Sequence, residues 1–234
     1  MTQKPGAATK RLIIAIDGPS GAGKGTIARA VAARLSYRHV DTGAMYRAVA
    51  WKAVRQGLDL SDEAAVSALA AAASIDVSNG AIAIDGHDVR EAIRTPQIDA
   101  AAAAVARLPR VREVLIRQQR EMGEGGGVVM EGRDIGTVVF PQADLKIFLD
   151  ASPEERARRR AADPAHASGK GAQAVSEVAS ALAARDQSDR TRTASPLAQA
   201  VDAVTLDTTG IPIDEVVSRV LALIEIRLSG QGEN

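Results

Sequence analysis

The sequence predicts an α/β fold: a five-stranded parallel sheet between two layers of helices. Three observations predict it. Five short apolar segments alternate with helical patterning, at Leu12–Ile16, Tyr37–Val40, Val128–Met130, Leu145–Leu149 and Asp202–Leu206. Such near-continuous apolar runs suit strands covered on both faces. The first of them runs into a glycine-rich turn, Gly18-Pro19-Ser20-Gly21-Ala22-Gly23-Lys24-Gly25-Thr26, and then into Ile27–Leu35, whose apolar positions recur at helical spacing. The polar clusters Asp17–Gly18, Asp41–Thr42, Glu131–Asp134 and Asp150 fall at the carboxyl ends of these strands, where open α/β sheets bind ligands.

Strand, glycine-rich loop and helix are the context of a phosphate-binding loop. Glycines let successive N–H groups point at one anion, and the helix N-terminus adds partial positive charge. Lys24 supplies a cation for the outer phosphates. The spacing, the lysine and the context set Gly18–Thr26 apart from an ordinary strand–helix turn. One position departs from the general pattern: Gly25 stands where a serine or threonine follows the lysine, and Thr26 comes one place later.

Length and composition narrow the classes. The chain has 234 residues, 46% hydrophobic and 25% charged, which fits one globular domain. Net charge is +0, so bulk electrostatics lend no support to a nucleic-acid partner. Aromatics are only 2%, too few for base-stacking platforms. With no cysteine there is no disulfide framework and no thiolate metal site, which is compatible with the cytoplasm. Met1–Lys10 has no apolar core, so no signal peptide is expected, and no apolar run approaches the ~20 residues of a membrane span.

The remaining elements follow in order. Residues 1–11 read as a loose tail. A helix with Met45, Val49, Trp51 and Val54 follows Asp41-Thr42-Gly43, and an alanine-rich helix starts near Ser61. Asn79-Gly80 and Asp85-Gly86 then punctuate three short strands as hairpin turns, an antiparallel insert expected to form a mobile lobe. Thr95-Pro96 opens a helical stretch interrupted near Pro109. A charged helix starts at Ser152-Pro153-Glu154, and the weakly patterned segment Asp163–Gln173 reads as mobile. A helix covers Ser176–Arg185 or beyond, and Pro212–Leu228 is an amphipathic closing helix.

Several clusters carry possible chemistry. In Asp41-Thr42-Gly43-Ala44-Met45-Tyr46-Arg47, Thr42 is either a helix cap or, with Arg47, a grip on an anionic acceptor, with Asp41 near magnesium through water. Glu131-Gly132-Arg133-Asp134 follows a buried strand, so Arg133 and Asp134 can grip a phosphate and a base edge, and Glu131 can hold a magnesium-bound water. Arg185, Asp189 and Arg192 share one helical face, as do Arg156, Arg159 and Arg160. Each set alone would read as a solvated face, and the second would otherwise neutralise a transferring phosphoryl group. So many arginines beyond the donor loop imply a phosphorylated acceptor. A phosphate monoester has its second pKa near ~6, so it needs no catalytic base. Accordingly His39, His87 and His166 are expected to be surface or packing residues without partners.

These motifs resemble those of the bacterial cytidylate kinases: Ile16–Thr26, Asp41–Arg47, Ile93-Arg94-Thr95, Leu108–Arg112, Gly132–Pro141 and Arg185–Arg192. The likeness spans roughly Leu12 to Leu228. Gly25 after the lysine is normal among nucleoside monophosphate kinases. The resemblance implies a three-layer P-loop kinase fold. Its core would be 12–41, 127–150 and 193–228, its monophosphate-binding lobe 42–126 with the antiparallel insert, and its helical lid 151–192, with 229–234 as tail. It implies transfer of the γ-phosphoryl of ATP to CMP or dCMP with magnesium, in pyrimidine nucleotide metabolism, by a cytoplasmic monomer. Gly18–Thr26 would bind ATP. Thr42, Arg47, Arg133 and Arg192 would hold the acceptor phosphate, Arg112 and Asp134 the cytosine edge, and Arg185 with Asp189 the ribose. Lys24, Arg133, Arg156, Arg159, Arg160 and Arg192 would carry the catalytic charge. Ala103 stands where the family usually has a serine on the base. Two alternatives stay open: a UMP/CMP kinase of relaxed selectivity, and a nucleotide-binding regulator that does not turn over.

Overall fold

The structure is a computed structural model that describes residues 11–162 and 172–229. Five strands form one parallel sheet: β1 (Ile13–Asp17), β2 (Arg38–Asp41), β6 (Val128–Gly132), β7 (Leu145–Asp150) and β8 (Val204–Asp207), in the order β2-β6-β1-β7-β8. Three two-residue strands make the antiparallel insert: β3 (Ile75–Asp76), β4 (Ala83–Ile84) and β5 (His87–Asp88). Both hairpin signals are real turns. Asn79, Gly80, Asp85 and Gly86 all have positive φ, as type I′ turns require.

Side chains alternate across the sheet and so divide the core. Ile14, Ile16, Val129, Ile147 and Leu149 face α1 (Lys24–Leu35) and α8 (Ile213–Ser229). Ala15, Val40 and Met130 face the other layer. That layer contains α2 (Thr42–Arg55), α3 (Glu63–Ala72), α4 (Pro96–Val105) and α5 (Pro109–Gly123). Two more helices, α6 (Pro153–Ala161) and α7 (Ala172–Thr191), pack against each other beyond the carboxyl rim.

Local chemistry explains the boundaries. Pro96 and Pro109 each begin a helix, where a missing N–H costs nothing. The helix start expected near Ser61 is capped instead by Asp62, whose side chain accepts from Ala65 N. Thr42 is not the cap of α2; Asp41 is, accepting from Ala44 N at 3.0 Å. The antiparallel insert is tied to the sheet edge: Asn79 N donates to His39 O, and His39 N donates to Asn79 Oδ1. The closing helix runs through Ser229, into the segment expected to be tail. The tail at 1–10, the end at 230–234 and most of the mobile segment Asp163–Gln173 lie outside the described residues. Its last two residues, 172 and 173, belong to α7.

Asp17 locks the rim. Its buried carboxylate accepts from Ile135 N at 2.9 Å and Gly136 N at 2.7 Å, which fixes the turn after β6 beside the end of β1. Burial pushes this carboxyl from 3.8 up to about 6, against the two hydrogen bonds that pull it down. The folded protein therefore holds the proton more tightly than the unfolded chain does, so this group's contribution to stability is lost as pH rises. The unfolding free energy of the protein minus that of Asp17→Asn, from urea titrations, should fall between pH ~4 and ~6 and level off above. A difference independent of pH would contradict this.

Candidate functional site

The loop after β1 has the geometry that its sequence predicts. Gly18, at φ +147°, passes so close to β7 that a Cβ would sit 2.0 Å from Leu149 O. Gly23, in the left-handed region, caps α1. Lys24 is buried and folds back over the loop, its Nζ donating to Pro19 O at 2.7 Å. Burial, with repulsion from Arg133, depresses the ammonium below the ordinary lysine range, while Glu131 and Asp17 oppose that shift.

Beside the loop, a cleft of ≈ 400 Å³ is lined by Lys24, Gly25 and Thr26, by Asp41, Thr42 and Arg47, and by Arg112, Glu131, Arg133, Asp134, Arg160, Arg185, Asp189 and Arg192. Segments far apart in the chain thus meet on one surface, because each lies at or beyond the carboxyl end of a strand. On the other side of the loop, a second cavity of ≈ 520 Å³ lies between Gly21–Gly23, Ile27, Arg158, Arg159, Thr208 and the start of α8.

The arginines of the cleft are paired. Arg112 and Asp134 are buried and joined at 2.5 Å, and the Arg112 guanidinium lies over the Tyr46 ring at 5.2 Å. Arg133 Nε donates to Asp189 at 2.9 Å. Arg192 is buried, with Nε on Ser195 O, one terminal nitrogen 3.3 Å from Asp189 and the other 3.8 Å from Asp134. The set Arg185, Asp189 and Arg192 is therefore not a solvated face. Burial and the neighbouring Arg47 and Arg133 push Arg185 down to about 10.

The helix α6 arginines divide. Arg160 reaches the cleft and pairs with Asp99 at 2.7 Å. Arg159 turns to the second cavity and donates to Thr208 O. Arg156 does not face either one. It is buried beneath the loop, bonded to Ala151 O, Ser20 O and Asp186, and Asp186 in turn accepts from Ser20 N. Arg156 thus ties α6 and α7 to the phosphate loop.

His39 corrects the expectation of a partnerless histidine. It is buried, with Nε2 3.0 Å from Glu131 Oε1. His87 is exposed as expected, and His166 lies outside the described residues. Glu131 also explains Gly25: a Cβ there would stand 3.0 Å from Glu131 Oε1. The carboxylate occupies the flank of the loop where a serine side chain would otherwise project. Burial and nearby Asp41 raise the Glu131 carboxyl, while His39 and Lys24 pull it down.

Sequence reasoning missed Asp99, Asp186 and the His39–Glu131 pair. Asp186 lay inside a quoted motif. Asp99 gave no signal, because one acid in the first turn of an alanine-rich helix reads as dipole complementarity.

A phosphate loop at a sheet rim, facing a cleft of paired arginines, defines a P-loop nucleotide-binding protein. The cytidylate kinase family model matches residues 14–226, and the chain belongs to that family. A cytidylate kinase of Solibacter usitatus (strain Ellin6076) is 49% identical over 94% of this chain and 95% of its own. One of Pelotomaculum thermopropionicum is 50% identical over 90% and 95%. Among solved structures, a shikimate kinase from Acinetobacter baumannii in complex with shikimate aligns over 92% of this chain and 94% of its own, at 14% identity and a TM-score of 0.47.

The contact between Gly25 and Glu131 can be tested without any ligand. Gly25→Ala should cost about 1–3 kcal/mol through overpacking. Combined with Glu131→Asp, which withdraws the carboxylate, it should cost less than the sum of the single changes, read from thermal unfolding. Strict additivity would show that the two positions do not compete for space.

Proposed function

We propose that the chain transfers the γ-phosphoryl group of ATP to CMP or dCMP, giving CDP or dCDP and ADP. The observation that carries the reading is the buried Arg112–Asp134 pair inside the arginine-lined cleft. It offers donors and an acceptor side by side. Cytosine presents the complement, a carbonyl oxygen and ring nitrogen beside an amino group. Uracil presents a carbonyl oxygen where Asp134 needs a donor, and so loses that bond.

In this reading α2–α5 with the small sheet form the acceptor lobe, and α6–α7 form the lid. Gly18–Thr26 cradles the donor phosphates, and Lys24 meets the outer ones. The donor nucleoside lies in the second cavity, near Arg159 and Thr208. Thr42, Arg47, Arg133 and Arg192 hold the acceptor phosphate, and Arg185 with Asp189 meets the ribose. An acceptor oxygen then attacks the γ-phosphorus as the bond to the β-bridging oxygen breaks, with ADP leaving. The acceptor is already largely dianionic at neutral pH, so no base takes a proton. Arg133, Arg160 and Arg192 stabilise charge on the transferring group. Arg156 acts through the loop it braces.

The acidic residues suit magnesium carried by the nucleotide. Asp41 and Glu131 stand opposite one another in the β2–β6 register and both line the cleft. Two such carboxylates suit an ion held through one or two carboxylates, water and phosphates. Magnesium would supply charge neutralisation at the donor phosphates, and Asp41 and Glu131 are the residues that would hold it through water. No described helix is long and apolar enough to cross a membrane. We propose a cytoplasmic monomer as the working form; the cysteine-free sequence suits a reducing compartment.

Ala103 lines the cleft beside Ala102 and Ala106, on the α4 face that the base would meet. It offers no hydrogen bond, an arrangement that favours some tolerance of UMP. The test is the initial rate of diphosphate formation from CMP, dCMP, UMP, AMP and GMP with ATP and magnesium. CMP and dCMP should lead, UMP should trail, and Ala103→Ser should lower the CMP KM several-fold, as expected for ~0.5–1.5 kcal/mol per hydrogen bond. A purine preference, or no diphosphate at all, would overturn the reading.

A further inference from the structure

Asp99 is the single charged residue of α4, and its carboxylate stands where guanidiniums from three other helices meet. Oδ1 accepts from Arg47 Nε of α2 at 2.9 Å and lies 3.7 Å from Arg185 of α7. Oδ2 accepts from Arg160 of α6 at 2.7 Å. All four side chains are mostly buried. Burial would raise the Asp99 carboxyl, but Arg47, Arg185 and Arg160 together hold it below the usual carboxylate range, so it is ionised at neutral pH.

We propose that Asp99 is a positioning residue, the internal counter-anion that holds Arg47, Arg160 and Arg185 converged between lobe and lid and competes with phosphate oxygens for them. The inference rests on the proposed function, since these three cations are assigned there to the acceptor phosphate, the transferring group and the ribose. Two properties of the geometry carry it. The carboxylate uses N–H groups that would serve an anion in the cleft, so an arriving phosphate must share or displace it. It also bridges two separately packed helix pairs, α2 with α4 and α6 with α7, so it ties the guanidiniums of the second pair to Arg47 of the first. A carboxylate in this place therefore weakens ground-state binding of the acceptor while keeping the arginines aligned for transfer.

An ordinary stabilising ion pair makes the opposite prediction about affinity, which separates the two. In Asp99→Asn the amide keeps the shape and can still accept, but the cluster gains one net positive charge. Calorimetric titration of the full chain should show CMP binding about 3- to 10-fold more tightly than to the unchanged protein, with cytidine, which lacks the phosphate, within about two-fold. Turnover at saturating ATP and CMP should fall several-fold. Asp99→Glu keeps the charge and serves if the amide variant does not fold; its CMP affinity should stay within about two-fold of the unchanged protein. Weaker or unchanged CMP binding in Asp99→Asn, an equal gain for cytidine, or tightening in Asp99→Glu would overturn the proposal. The affinities are read without turnover. If the unchanged protein made no CDP while Asp99→Asn still bound CMP more tightly, only the functional reading would fail.

Discussion

Like charges must be held together here, and the rest of the cleft depends on how that is done. Arg47, Arg112, Arg133, Arg160, Arg185 and Arg192 line one cavity of a chain whose net charge is zero. Two unit charges 4 Å apart interact by about 4 kcal/mol at an effective dielectric of 20, so several converging guanidiniums would repel strongly if unaccompanied. Asp99, Asp134 and Asp189 stand among them and offset most of that repulsion. With Lys24, Asp41 and Glu131 of the same cleft included, cations still outnumber carboxylates, which leaves the surplus of positive charge that an anion site requires.

The sheet makes this concentration possible. Parallel strands place all their carboxyl ends on one rim, so the loop after β1, the start of α2 and the turn after β6 share a neighbourhood. Asp17 then fastens the turn after β6 to the end of β1 through two backbone N–H groups. From α6 and α7, Arg156 and Asp186 grip the backbone of Ser20. The phosphate loop is thereby braced from both sides by charged groups that themselves stay out of the cleft.

Much of this was legible in the sequence, for physical reasons. Strand order of type and the phosphate loop follow from apolar runs, glycine spacing and a lysine. The hairpin insert follows from Asn-Gly and Asp-Gly, whose residues tolerate positive φ. What stayed hidden depends on three-dimensional pairing. Arg156 shares a helical face with Arg159 and Arg160 in sequence, yet burial sends it under the loop. Nothing along β2 marks His39 as paired, because its partner Glu131 arrives from the neighbouring strand β6. Asp99 meets its arginines from α2, α6 and α7, a convergence that spacing along one helix does not encode. Local signals reveal which residues can do chemistry, whereas the counter-charges that position them come from elsewhere in the chain.

The central claim is that the cleft is the acceptor half of a two-phosphate site, with the donor half in the loop after β1. Arg192 separates the halves best, because it lies among Asp134, Asp189 and Arg112 and away from the loop. The direct measurement is the pair of KM values for CMP and for ATP in Arg192→Ala, with folding checked by circular dichroism. The account predicts a CMP KM raised at least about tenfold, as loss of a charge-assisted hydrogen bond of about 1.5–3 kcal/mol implies, with the ATP KM within about two-fold. Equal increases in both would contradict it.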